Sequence, residues 1–169
     1  MNTFLITKNE PEFLDGNYIF LNEGWASISD IGKSYNGKIF SADDYLSTEN
    51  KFLKIIKLLL EHFKITTLSV MCLEKYIDNL ESEYMIGGIK KEYNEIFVSI
   101  AEGKSYDLKS IEIICRLNLR ERIWCMLYSR EQHFVIKFGY DFFMYVICED
   151  IPDKIKQYIS KNQLYILAD

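Results

Sequence analysis

Apolar residues recur along this chain with two periods, and the change from one to the other predicts its elements. The clearest helical stretch starts at Ser41, where Tyr45, Leu46, Phe52, Leu53, Ile56, Leu59, Leu60 and Phe63 return at helical spacing. Lys54, Lys57, Glu61 and Lys64 step along the opposite side. Ser41-Ala42-Asp43-Asp44 has the form of a capping box, and its two acids favour the positive end of the helix dipole. The pattern predicts an amphipathic helix of about twenty residues laid on a core. Extended segments are predicted over 3–7 and 17–21, with a turn signal at Asp15-Gly16 between them and another at Asn36-Gly37.

Alternation predicts a strand over 67–72. The acidic stretch 74–83 follows, with Tyr76, Ile77 and Leu80 at helical spacing, and Gly87-Gly88 breaks the chain. Residues 89–101 read as a second helix ending near Gly103. A third starts at Asp107 or Ser110 and runs to Leu119. The period then shortens: 123–128, 134–138 and 142–148 are dense in aromatic and β-branched residues and separated by short polar turns, which suits an antiparallel meander. A short helix is predicted from Ile151-Pro152-Asp153 through Ile159, and a last strand over 164–167. The sum is an α+β domain, with helices on one side of a mostly antiparallel sheet that ends in a C-terminal β-meander.

Composition narrows the class. At 169 residues, 49% hydrophobic and 27% charged, the chain reads as one globular domain over 1–169 with no need of a disulfide or metal staple. Eight Gly and two Pro exclude collagen-like and low-complexity classes. No secretory signal, membrane span or lipidation motif is read, so a reducing cytoplasm is expected. Cys72, Cys115, Cys125 and Cys148 occur singly among apolar neighbours and are expected as buried, reduced core residues.

Charge is uneven. The net −5 divides into −6 over 1–103, +3 over 104–130 and −2 over 131–169, and all four arginines, Arg116, Arg120, Arg122 and Arg130, fall in the middle segment. An acidic protein repels nucleic acid and attracts basic partners. The arginine cluster, close to Trp124 and Tyr128, is the counter-signal and supports an alternative as a nucleic-acid-binding protein. Glu112 and Glu121 beside it favour structural pairing.

Familiar catalytic patterns are missing. Gly32-Lys33-Ser34 lacks the glycine five positions earlier that a phosphate loop needs, since Ser27 stands there. The two histidines, His62 and His133, form no ligand spacing. The carboxylate pairs Asp43/Asp44, Glu81/Glu83 and Glu149/Asp150 read as caps or solvated faces. Neither enzyme, metal nor cofactor is expected. The segment 138–145, Phe-Gly-Tyr-Asp-Phe-Phe-Met-Tyr, combines a turn, aromatics and an acid, and reads either as a hairpin corner packed into the core or as an aromatic-plus-acid patch of the residue types that anchor protein interfaces.

Three patches taken together resemble a known family. They are Asp30-Ile31-Gly32-Lys33 through Asn36-Gly37-Lys38 to Asp44-Tyr45-Leu46, then Leu73-Glu74-Lys75, then Trp124-Cys125 with the 138–145 segment. Across roughly 28–148 the chain resembles small acidic immunity proteins encoded beside toxins of bacterial contact-dependent growth inhibition and related polymorphic toxin systems. It departs from them at Phe142-Phe143, where Tyr-Tyr is expected, which weakens any role for hydroxyls there. The resemblance implies binding of a cognate toxin domain in the cytoplasm, blocking its active site or substrate cleft. Many such toxins are basic nucleases, and an acidic inhibitor mimics their nucleic-acid substrate. Two toxin-binding surfaces are expected: Glu74, Asp78, Glu81 and Glu83 on one, Tyr140, Asp141, Glu149, Asp150 and Asp153 on the other. Neither direct nucleic-acid binding nor membrane association is expected.

Overall fold

Turn chemistry sets the first third of the molecule. In the computed structural model, which describes residues 1–21, 24–80, 86 and 91–168, β1 (Asn2–Thr7) leads into a hairpin of β2 (Glu10–Leu14) and β3 (Asn17–Leu21). Its turn residues Asp15 and Gly16 both have positive φ, +50° and +83°, the mirror-image turn whose twist matches paired strands. Strand β2 was not expected, and it contains Pro11, which lacks a backbone donor. A two-stranded ribbon has an unpaired side on which that loss is harmless. Asn36 and Gly37 turn a second small ribbon, β4 (Ser34–Tyr35) with β5 (Lys38–Ile39), in the same way.

The long helix forms where its cap predicts. In α1 (Ala42–His62) Ser41 Oγ accepts the Asp44 N–H and Asp44 Oδ2 accepts the Ser41 N–H, both at 3.1 Å. After it, β6 (Thr67–Lys75) runs past the expected end at 72. Cys72 takes φ +56° and the pairing register slips beside it, a bulge that lets the strand continue. Glu74 and Lys75 are therefore strand residues rather than the start of a helical acidic stretch, and no helix forms over 76–79. Then come α2 (Lys91–Ser99), β7 (Ser105–Asp107), which was not expected, and α3 (Leu108–Leu119), whose cap Asp107 accepts the Ser110 N–H at 2.9 Å.

The meander follows as β8 (Ile123–Ser129), β9 (Phe134–Phe138) and β10 (Met144–Cys148), then α4 (Asp153–Lys161) and β11 (Tyr165–Ala168). Among the described residues all pairings are antiparallel, and the main sheet has seven strands in the order β11-β1-β10-β9-β8-β6-β7. One row of paired residues, Phe4–Val146–Ile136–Leu127–Val70, crosses five strands and is buried throughout. That face meets Tyr45, Phe52, Ile55 and Leu59 of α1, Ile111, Ile114 and Leu117 of α3, and Ile155 and Ile159 of α4. The neighbouring row, Leu5–Tyr145–Lys137–Met126–Met71, points to the other face and is only half-buried. The fold is α+β, with its helices gathered on one face of an antiparallel sheet, as the pattern of the sequence predicts.

Candidate functional site

The two expected surfaces are regrouped by the strand between their residues. Tyr140 and Asp141 precede β10, while Glu149, Asp150 and Asp153 follow it. A five-residue strand separates its ends by about 17 Å. At the far end, Asp150 accepts the Ile151 N–H at 2.8 Å and Lys156 Nζ at 3.0 Å, and these hold its carboxyl below the usual range. Asp153 lies in the first turn of α4, and Glu149 is exposed. Asp78 is exposed beyond β6, and Glu81 and Glu83 lie outside the described residues.

Glu74 and Tyr140 meet at the near end. The bulge at Cys72 resets β6 so that Glu74 pairs with Trp124 and shares its face of the sheet. A cleft of about 380 Å³ opens there, lined by Glu74, Tyr76, Glu121, Trp124, Lys137, Tyr140 and Tyr145 among others. Trp124 Nε1 donates to the Phe138 carbonyl at 2.7 Å, which fixes the indole. Lys137 Nζ sits 4.8 Å from the Tyr145 ring centroid, so this wall already attracts a cation. Gly139 lets the turn close on it: a Cβ there would lie 3.2 Å from Phe143 Cβ and 3.3 Å from Tyr145 Cε2.

Backbone strain frames the cleft on both sides. Asp141 and Phe142 both have positive φ, +57° and +58°, in a tight turn closed by Phe143 N–H donating to the Tyr140 carbonyl at 3.0 Å. Phe142 is compensated by burial, its ring packed against Trp25, Tyr45 and Phe52 with centroids 5.0–5.6 Å away. Tyr140, by contrast, is left 76% exposed at the head of the turn. Across the cleft Glu121 follows α3 at φ +55°, a place glycine usually takes. Burial, then the charge of Asp141, pushes the Glu121 carboxyl above its ordinary value. Burial likewise raises the Tyr76 phenol, helped by Tyr140 and Glu74. The cleft thus gathers the carboxylates of Glu74 and Glu121, the ammonium of Lys137 and several aromatic faces.

Sequence reasoning put Glu121 in a structural pair and did not select Tyr76, Trp124 or Tyr145 for this site. The available signal was the non-glycine residue after a helix end, followed at once by a strand with tryptophan.

The arginines behave differently. Arg120, 2% exposed, clamps the fully buried Glu49 through Nε–Oε1 at 2.7 Å and a second nitrogen to Oε2 at 3.0 Å. Arg116 reaches the same carboxylate at 2.5 Å and Glu112 at 3.1 Å. Arg122 is half-buried, and exposed Arg130 lies 6.0 Å over the Tyr128 ring. Of the four, Arg120 alone is buried, while Arg116 and Arg122 are half-buried and Arg130 is exposed. Cys115, Cys125 and Cys148 are buried free thiols as expected, but Cys72, at the bulge, is exposed. Among the described residues no group of three or more His, Cys, Asp or Glu is placed to hold a metal ion, and no helix is long and apolar enough to cross a membrane.

A larger groove of about 670 Å³ lies between α1 and α3 on the helical side, rimmed by Lys54, Lys57, Lys64 and Lys109. None of the expected toxin-binding residues lines it; Arg116, one of the arginines of the nucleic-acid-binding alternative, does. No known protein family, curated protein or solved structure matches this chain.

Proposed function

We propose that this protein is an immunity protein, a non-enzymatic inhibitor that binds a basic toxin domain, a nuclease, in the cytoplasm and blocks its active site or substrate cleft. The observation that carries the reading is the cleft at the near end of the sheet, where Glu74 and Glu121 share a wall with Tyr76, Trp124 and Tyr140. A lysine or arginine of the partner entering it meets carboxylates and aromatic faces together, and a cation so placed gains from both. The net charge of −5 steers a basic partner towards contact before that fit is made. Two of the four arginines on which a nucleic-acid-binding alternative would depend are committed to Glu49, which weighs against that reading.

The test starts with the tagged full chain, purified from its own cells with whatever it holds, and then asks for protection. The expected partner is a basic C-terminal domain of a large secreted protein. Its expression should arrest growth, and co-expression of this chain should restore it. Glu74→Lys and Tyr140→Ala should each weaken that protection. Recovery of nucleic acid, or of a partner whose toxicity this chain does not relieve, would overturn the proposal.

A further inference from the structure

The β2–β3 hairpin stands apart from the rest of the fold. Among the described residues the hydrophobic core takes nothing from 10–20. The hairpin's visible anchor is at its base, where Phe20 packs on Phe143 with ring centroids 4.8 Å apart and Asn9 Nδ2 donates to the Asp141 carbonyl at 3.3 Å. It therefore springs from the same turn that carries Tyr140. Beyond the base, four large apolar side chains stand in water: Phe13 is 65% exposed, Leu14 51%, Tyr18 51% and Ile19 42%. Phe13 and Tyr18 are a direct cross-strand pair, with edge-to-face rings 5.1 Å apart.

An isolated two-stranded ribbon is marginal in water, and a cluster of exposed apolar residues on it contributes little to the folded body. Such a patch marks a surface that another molecule covers. Its charge says which kind. Glu10, Glu12 and Asp15 are on the hairpin, and no lysine or arginine occurs between Lys8 and Lys33. An anionic bilayer repels such a tip, and a second copy of this acidic arm repels it as well. A protein cleft with basic walls and an apolar floor complements it on both counts.

We propose that the hairpin is an inhibitory arm whose tip, Phe13, Leu14, Tyr18 and Ile19, inserts into the basic cleft of the partner while the Glu74–Tyr140 cleft grips the partner's rim. The inference rests on the reading above that the partner is a basic protein. Arm and cleft arise from one end of the sheet, so a single partner spans both. The arm supplies the apolar contact that carbohydrate-phosphate mimicry by carboxylates alone would lack, and Glu12 and Asp15 bring charge to the walls.

The experiment uses the full chain carrying the photo-cross-linker p-benzoylphenylalanine in place of Tyr18, of Tyr140, or, as a control on the helical side, of Lys57, made in the cells of origin and irradiated. Positions 18 and 140 should link to the same foreign polypeptide, position 18 to a peptide within a domain rich in lysine and arginine, and position 57 should give no such product. In a Glu12→Lys/Asp15→Lys background the yield at position 18 should fall about tenfold at low salt, with the melting transition of the body unchanged. Linkage at 140 alone overturns the arm and leaves the proposed function intact. Linkage of position 18 to lipid, to a second copy of this chain or to a protein without basic character also overturns the arm. Silence at both positions removes both proposals together.

Discussion

Glu49 is the residue whose change should be felt most for the least disturbance of shape. Glu49→Gln keeps the volume and one acceptor but removes the charge that faces Arg116 and Arg120. Arg116, with 17% of its side chain exposed, still has Glu112 at 3.1 Å and Asn50 at 3.3 Å, so it retains partners. Arg120 is 2% exposed, and beyond Glu49 its guanidinium donates only over a long 3.4 Å to the Ile86 carbonyl among the hydrogen bonds of the described residues. The substitution leaves that guanidinium buried without its counter-charge, which costs about 3–5 kcal/mol when a buried pair is broken. The isosteric amide places the expectation near the lower end, about 3–4 kcal/mol, or a loss of about 1.5–2 M in the urea midpoint for a slope near 2 kcal/mol/M. The assay is equilibrium unfolding followed by far-UV circular dichroism. Replacing Glu49 and both arginines together by methionine should recover most of the loss, because the desolvation cost disappears with the charges. A cost below about 1 kcal/mol for Glu49→Gln, or a triple variant as unstable as the single one, would refute the claim that this cluster is a true buried ion network.

Three further outcomes follow from the same structure. Phe142→Ala should cost about 3–5 kcal/mol by emptying the space among Trp25, Tyr45 and Phe52, yet Phe142→Gly should be no worse than the alanine variant, because glycine accepts φ +58° freely; thermal melts of the pair would show the usual alanine-over-glycine order if the turn were unstrained. Burial pushes Asp30 upward, but Lys33 at 2.6 Å and the N–H groups of Ala26 and Ser27 outweigh it and hold its carboxyl at about 2. A depressed folded-state pKa contributes stability above the unfolded value of about 4 that is lost as pH falls towards 2, so Asp30→Asn should flatten the fall of the urea midpoint between those limits, and an unchanged slope would speak against it. Among the four cysteines, Cys72 alone should react quickly with a thiol reagent in the native protein, whereas Cys115, Cys125 and Cys148 should wait for unfolding, burial having pushed the last two thiols to about 11.

Much of the architecture was legible wherever a single local rule governs. The Ser41 cap, the Asp15-Gly16 and Asn36-Gly37 turns and the alternation through β8 to β10 each depend on residues within a few positions of one another. What was hidden depends on partners far along the chain. Glu49 lies on the apolar stripe between Tyr45 and Phe52, and only its distance of 71 positions from Arg120 kept the pairing out of reach. The bulge at Cys72 carries Glu74 onto the face of Trp124, which no period in the sequence announces. Tyr140 and Glu149 look like members of one patch because they are nine positions apart, and a strand between them puts them at opposite ends of the sheet.

The placing of β1 also has a temporal side. It is an inner strand, held by β10 on one side and β11 on the other, so Ile6 waits for Met144 and Ile166 before its backbone groups are paired. At synthesis rates of about 5–20 residues per second, that interval is on the order of ten seconds. Through it Phe4 and Ile6, both destined for the core, remain on a nascent chain with no sheet to join. Pairings so distant also slow the search once the chain is released. Capture of β1 should therefore come late in folding, after β10 and β11 have been made, and in a growing cell that interval is when the young protein leans on chaperones.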